Sequence, residues 1–123
     1  MASKTKAITE TDLYEVWMAE QAVQVVQARA RTWLTATRAR VTAEDADSLN
    51  VELRLLESGL RAGRKHDKTL GADLDAVWTR FLRWCDDPTA YVKRTDALWL
   101  LAAMDEAERE LERIRVYLAE MLE

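Results

Sequence analysis

The stretch that most clearly specifies the fold is residues 97–122, ALWLLAAMDEAERELERIRVYLAEML. It contains neither glycine nor proline, the two residues that most often interrupt a helix. In its distal part apolar residues recur at alternating spacings of three and four positions; they are Met104, Ala107, Leu111, Ile114, Leu118 and Met121. This pattern predicts a long amphipathic helix that packs lengthwise against other helices.

Helix boundaries elsewhere are predicted from caps and helix-breaking residues. Thr9 and Thr42 are predicted N-caps, because a threonine hydroxyl can accept a hydrogen bond from a first-turn amide. Asp87 and Pro88 predict another helix start, since proline is favoured at the first helical position. We expect an all-α, elongated four-helix bundle with two long helices and two shorter ones, over about residues 10–41 and 88–122 and about residues 43–60 and 70–85.

Two details of this bundle are also predicted. A second cap signal at Thr95 and Asp96 predicts a bend in the fourth helix. The segment 61–68 has no large apolar residue, so we expect a basic loop there, after a helix that ends at Gly59 to Gly63.

Composition sets the class of protein and excludes several kinds of site. The chain has 123 residues, 49% hydrophobic and 33% charged, with a net charge of -4, which predicts one helical domain over 9–123 behind a flexible arm at 1–8. One histidine and one cysteine exclude a Cys-rich or His-rich metal site and a disulfide framework, so we expect no metal and no cofactor. There is no signal-peptide or membrane-spanning pattern, so we expect a cytoplasmic protein without a membrane partner.

Two segments are apolar on more than one side, the N-terminal half of the first helix and residues 97–104. Such helices are either central in a bundle or meet another chain. The second alternative predicts a small non-enzymatic interaction or adaptor protein that forms a homo-oligomer (a dimer) or binds a protein partner, such as an assembly subunit or inhibitor from a phage or mobile element. Its predicted partner-binding residues are Tyr14, Trp17, Met18, Val25, Leu98 and Trp99.

Basic residues are grouped along the chain, which predicts a second candidate surface. One interpretation is charge pairing across helix interfaces, for example with Glu108 and Glu110 on the fourth helix. The alternative is a phosphate-binding surface of a small subunit in a ribonucleoprotein complex, which contacts RNA or DNA. The residues predicted for it are Arg29, Arg38, Arg40, Arg61, Arg64, Lys65 and Lys68.

A third hypothesis concerns Arg61 and His66 in RAGRKH, which are separated by four residues. This spacing between two helices resembles the Arg-x(4–6)-His motif of HEPN-type ribonucleases, and the following LGADLDAVW is similar to the next helix in some members. The resemblance covers about residues 59–78 and implies a dimer in which both side chains act on the scissile phosphate and the 2′-hydroxyl. Ala62, Lys68 and the long helix that follows depart from the family pattern. The alternative is an exposed loop histidine beside basic residues.

Overall fold

A computed structural model describes residues 7–87 and 89–122 of the chain. Its helices, in chain order, are α1 (Glu10–Thr35), α2 (Ala43–His66), α3 (Asp75–Asp86) and α4 (Arg94–Leu122). In this part of the chain the β-type pairing is a single isolated antiparallel bridge between Ala39 and Val92. The all-α bundle of four helices is therefore confirmed. Most of the predicted N-terminal arm, residues 1–6, and the predicted helix-starting Pro88 lie outside the described residues.

Helix α1 begins as predicted and ends six residues earlier than predicted. The Thr9 hydroxyl accepts from the Asp12 amide at 3.4 Å, and the Asp12 carboxylate accepts from the Thr9 amide at 3.0 Å. These reciprocal bonds form a capping box. After Thr35 the backbone is extended at Ala36, and the Ala39 carbonyl accepts from the Val92 amide at 2.7 Å. This long-range pairing replaces helical hydrogen bonds in a segment where the sequence has no helix breaker.

Helix α2 starts after the predicted cap Thr42 and runs to His66, so the predicted loop at 61–68 is corrected to two turns of helix followed by a short turn. Gly59 and Gly63 are buried within the helix, where we expected them to end it. A methyl group on Gly59 would overlap the Ala19 side chain of α1, and one on Gly63 would lie 2.5 Å from Ile114 of α4. The glycines therefore let three helices approach closely, which is why they do not act as helix breakers here.

The boundaries of α3 and α4 also differ from the predicted ones. Residues 70–74 precede α3 as a loop, although Leu70 and Leu74 are buried as expected for core positions. Asp87 does not cap α4, because its carboxylate accepts from the Thr89 amide at 2.9 Å and from the Thr89 hydroxyl at 2.7 Å. Helix α4 begins at Arg94, close to the predicted bend, where Asp96 accepts from the Lys93 amide at 3.1 Å.

Helix α1 packs against both α2 and α4, and α3 covers one end of this group. Helices α1 and α2 run antiparallel, since Arg29 of α1 pairs with Asp45 at the start of α2 and Asp12 of α1 pairs with Lys65 near its end. Helix α1 also runs antiparallel to α4, since Glu20 pairs with Arg115 and Gln27 with Asp105. On α3, Trp84 meets Trp33 of α1 edge to face at 5.9 Å. Among the described helices, none combines the length and the apolar character that crossing a bilayer requires.

Candidate functional site

The first candidate surface is the side of α1 that faces away from α2 and α4, called here the outer face of α1. Tyr14, Trp17 and Val25 lie on it, and the Tyr14 and Trp17 side chains are 59% and 53% exposed. The two rings are adjacent, with centroids 6.1 Å apart and planes inclined by 30°. Adjacent large apolar side chains that are more than half exposed are typical of a docking site.

Of the other residues predicted for partner binding, Met18 borders this face one helical turn from Tyr14, whereas Leu98 and Trp99 lie on α4. Met18 is half-buried, and Trp99 packs against the core with the Arg80 guanidinium 4.0 Å from its ring centre. Leu98 is exposed, but it lies on α4. Because α1 and α4 are antiparallel, residues 98 and 99 sit beside the C-terminal end of α1, about 25 Å along the bundle from Trp17. The sequence grouped two apolar segments that the fold separates.

The basic residues predicted to bind nucleic acid are also divided by the fold. Arg38 and Arg40 lie in the connection between α1 and α2, whereas the residues at 61–68 lie at the far end of α2, about 30 Å away. Arg29 forms an ion pair with Asp45 at 3.3 Å, as the helix-pairing interpretation predicts. The four cations Arg61, Arg64, Lys65 and Lys68 remain together, in a groove of about 630 Å³ that Glu15, Ser58 and Ala62 complete.

Sequence reasoning missed a polar cluster at this end of the bundle, in which the buried side chains of Asp12 and His66 meet the partly exposed Lys65. The Asp12 carboxylate accepts from Lys65 Nζ at 2.9 Å and from His66 Nε2 at 3.0 Å. The side chains of Asp12 and His66 are only 2% and 1% exposed. Asp12 falls on the same helical stripe as the core residues Val16 and Ala19, and that spacing was the available signal for its burial.

The electrostatics of this cluster favour an ionised carboxylate. Burial alone raises the pKa of Asp12, but hydrogen bonds from Lys65, from the Thr9 amide and from His66, together with the Lys65 charge, lower that pKa to about 2. A carboxylate can only accept, so His66 Nε2 carries the shared hydrogen. His66 Nδ1 is buried and has no hydrogen-bond partner among the described residues. The cluster ties the start of α1 to the end of α2.

This geometry bears on the Arg61 and His66 pair. His66 is in the last turn of α2 and its ring is buried against Asp12, so it is not the exposed loop histidine that we expected as the alternative. Arg61 is exposed on the other side of the helix and pairs with Glu57 at 3.2 Å. General acid–base catalysis requires the ring to reach the substrate, whereas the 630 Å³ groove that Arg61 lines does not include the buried His66 ring. In the described part of the chain no group of three potential metal-ligating side chains converges.

Comparisons with family models, with curated proteins and with solved structures find no match for this chain.

Proposed function

We propose that this chain is a small, non-enzymatic protein-interaction module of the cytoplasm, which docks through the outer face of α1. The observation that carries the proposal is the adjacent pair Tyr14 and Trp17, each more than half exposed on a helix whose opposite side is fully packed. Tyrosine and tryptophan supply large contact areas with few rotatable bonds, which is why they dominate the binding energy of many interfaces. Burial of both rings in a partner would remove a substantial apolar area from water.

The proposed partner is a second copy of the chain, because the outer face of α1 is self-complementary. Two antiparallel copies related by a two-fold axis near Gln21 bring Trp17 of one copy opposite Val25 of the other, and Tyr14 opposite Ala28. Large side chains then meet smaller ones, as close packing requires. All of these residues are exposed in the monomer.

Polar groups support the same arrangement at the ends and at the centre of the face. Glu10 near one end of α1 comes beside Arg31 near the other end, so the antiparallel pairing gives two favourable contacts. Gln21 lies at the axis and meets its own copy, and two carboxamides can each donate one hydrogen bond to the other. The interface therefore has no like-charge contact at its centre.

The experiment is the native mass measured by light scattering over a range of protein concentrations. We expect a dimer that Tyr14→Ala and Trp17→Ala convert to monomer with unchanged circular dichroism. Tyr91→Ala is the matched control, because Tyr91 is an exposed tyrosine in the connection between α3 and α4. A wild-type protein that stays monomeric at every concentration would contradict self-association. Loss of helical structure in the Tyr14 and Trp17 variants would contradict the assignment of both rings to a surface.

A charge pair at the axis tests the antiparallel arrangement itself. Gln21→Glu and Gln21→Lys each bring two like charges together in the dimer. Each variant alone is therefore expected to form a weaker dimer, which dissociates at a higher protein concentration than the wild-type dimer does. An equimolar mixture of the two variants brings opposite charges together and is expected to restore the dimer. A fold defect would not be cured by mixing. Equal dissociation of the mixture and of the single variants would contradict an axis near Gln21.

A further inference from the structure

The exposed side of α2 carries a second surface that the docking proposal does not use. Two cavities meet there, since Ser58 and Arg61 line both. The first is the groove of about 630 Å³ with Arg64, Lys65 and Lys68. The second, of about 540 Å³, is lined by Asn50, Arg54, Glu57, Trp78 and Leu82 together with the shared residues. The two cavities adjoin at these shared residues on the outside of α2, and together they are called here the α2 groove.

The α2 groove is basic in a chain whose net charge is negative. Its five cations, Arg54, Arg61, Arg64, Lys65 and Lys68, are spaced along one side of the helix and the turn that follows. The lining itself holds two carboxylates, Glu15 and Glu57, and Asp12 lies beneath Lys65. Asp73 and Asp75 line an adjoining cavity with Arg61 and Arg64. The whole chain has a net charge of -4, so the part of it outside the α2 groove repels polyanions.

The groove also offers cations that structural ion pairs do not occupy. Arg61 and Lys65 pair with Glu57 and Asp12. Arg54, Arg64 and Lys68, in contrast, make no ion pair within 4.0 Å among the residues at 7–87 and 89–122. The Arg64 guanidinium lies beside Gly71, a glycine in the left-handed region with φ of 102°, at the edge of the groove. At least three cations are therefore available to phosphate groups.

An aromatic side chain stands at the other end of this row of cations. Trp78 is half-buried, lines the groove with Arg54 and Arg61, and is held edge to face against the core residue Phe81 at 6.1 Å. A ring fixed from behind and open in front is a platform on which a base can stack. Charged side chains along a backbone path, with an aromatic platform beside it, are the two components of sequence-tolerant single-strand recognition.

We infer that the α2 groove binds single-stranded nucleic acid, with phosphates along Arg54 to Lys68 and a base on Trp78. From Arg54 to Lys65 the helix rises about 16 Å, which corresponds to about five nucleotides at the 3.4 Å spacing of a stacked strand. The lining of the groove includes Glu15 of α1 but neither Tyr14 nor Trp17. The inference therefore does not depend on the proposed dimer.

The experiment measures binding of a fluorescently labelled 12-nucleotide RNA and of the DNA of the same sequence by anisotropy, at several salt concentrations. For three phosphate contacts we expect log K to fall with log salt with a slope of about -2. The charge reversal Arg64→Glu with Lys68→Glu is expected to weaken binding at least tenfold and to flatten this slope. Arg83→Glu with Arg94→Glu is the matched control, since it makes the same charge change at exposed positions of α3 and α4 and should leave binding close to wild type apart from a small long-range effect.

A second variant separates stacking from simple ion exchange. Trp78→Leu retains an apolar side chain in contact with Phe81. We expect this variant to weaken oligonucleotide binding about tenfold, while the binding of inorganic polyphosphate stays unchanged. Circular dichroism must show the wild-type helix content for this variant to be informative, and the charge reversals test the groove without touching the core.

Four results would overturn the inference. The first two are the absence of binding to either oligonucleotide at 50 mM salt and an equal loss of affinity in the two charge-reversal variants. The other two are tighter binding to a duplex than to either single strand, and binding only to vesicles that contain an anionic lipid.

Discussion

The two faces of α1 differ in the size of their side chains near the close approach of α2. The inner face is built from small residues such as Ala19, Ala22 and Val23, and it also buries the carboxylate of Asp12. The outer face carries two large aromatic side chains, Tyr14 and Trp17, in solvent. The reason is space, because α2 and α4 approach α1 so closely that a methyl group on Gly59 would overlap Ala19. Close helix packing therefore favours small side chains on the inner face, and the two large rings lie on the exposed side.

The largest effect is expected from Asp12→Ala on the inner face. The change removes the capping box at Thr9 and leaves the buried His66 ring without its partner, so we expect the free energy of unfolding to fall by about 3 kcal/mol. Urea denaturation measures this value. Glu10→Ala, an exposed change in the same helical turn, serves as the control and is expected to cost less than about 0.5 kcal/mol. Equal effects of the two variants would show that the cluster of Asp12, Lys65 and His66 contributes nothing to the free energy of unfolding.

The two valines on opposite faces test the comparison most directly, because the chemical change is identical. Val23 is fully buried and Val25 is exposed. We expect Val23→Ala to cost about 2 kcal/mol, from lost burial and the cavity that remains, and Val25→Ala to cost less than about 0.5 kcal/mol. Thermal or urea unfolding of the monomer at low concentration distinguishes them. Similar losses would mean that the outer face is already covered in the unassociated chain.

Acid is expected to weaken the inner face through Asp12. Its pKa is lowered from 3.8 to about 2 in the folded chain, so its stabilising contribution is fully present above pH 4 and is lost as the pH falls towards 2. The expected loss between pH 5 and pH 2 is about 2 kcal/mol. Other carboxylates titrate in the same range, so the measurement compares the wild type with Asp12→Asn. Parallel pH profiles for the two proteins would rule out this contribution.

The smallest of these effects is expected where a methyl group is added to the packed seam. Gly63→Ala should gain helix propensity of about 1 kcal/mol, but the new methyl group would lie 2.5 Å from Ile114 and force it to move. We expect a net loss of about 1 kcal/mol in urea unfolding. Ser58→Ala, on the open side of the same helix, is the control and should be neutral or stabilising. A stabilised Gly63→Ala would show that α2 and α4 can move apart at little cost.

Sequence reasoning located the four helices and two of their caps, but it missed the ends of α1 and α2 and the starts of α3 and α4. It placed Thr9 and Thr42 correctly, because an N-cap depends on residues within one helical turn. It assigned Gly59 and Gly63 to the end of α2, because a glycine in the interior of a helix and one after its last turn have the same local signature. The end of α1 was missed for a related reason, since the Ala39 and Val92 pairing joins residues 53 positions apart.

The exposure of the candidate side chains was predicted with similarly mixed success. Tyr14, Trp17 and Val25 are exposed on one face, as their positions on the helical wheel indicated. Trp99 lies on an apolar segment like theirs, yet it is covered by Arg80 from another helix. The burial of His66 required the antiparallel register of α1 and α2, which the sequence does not state.

The helical class, the caps and the apolar stripes follow from the sequence alone, because each depends on interactions within a few residues along one helix. Which stripes are covered, which charges are paired and which remain available depends on how the helices pack. Asp12 and His66, 54 positions apart in the chain, meet because α1 and α2 pack antiparallel. Arg29 and Arg64 have the same chemistry, but one faces Asp45 across a helix interface and the other lines a groove. Burial and charge pairing depend on which side chains of neighbouring helices come into contact, and the sequence of one helix does not specify this.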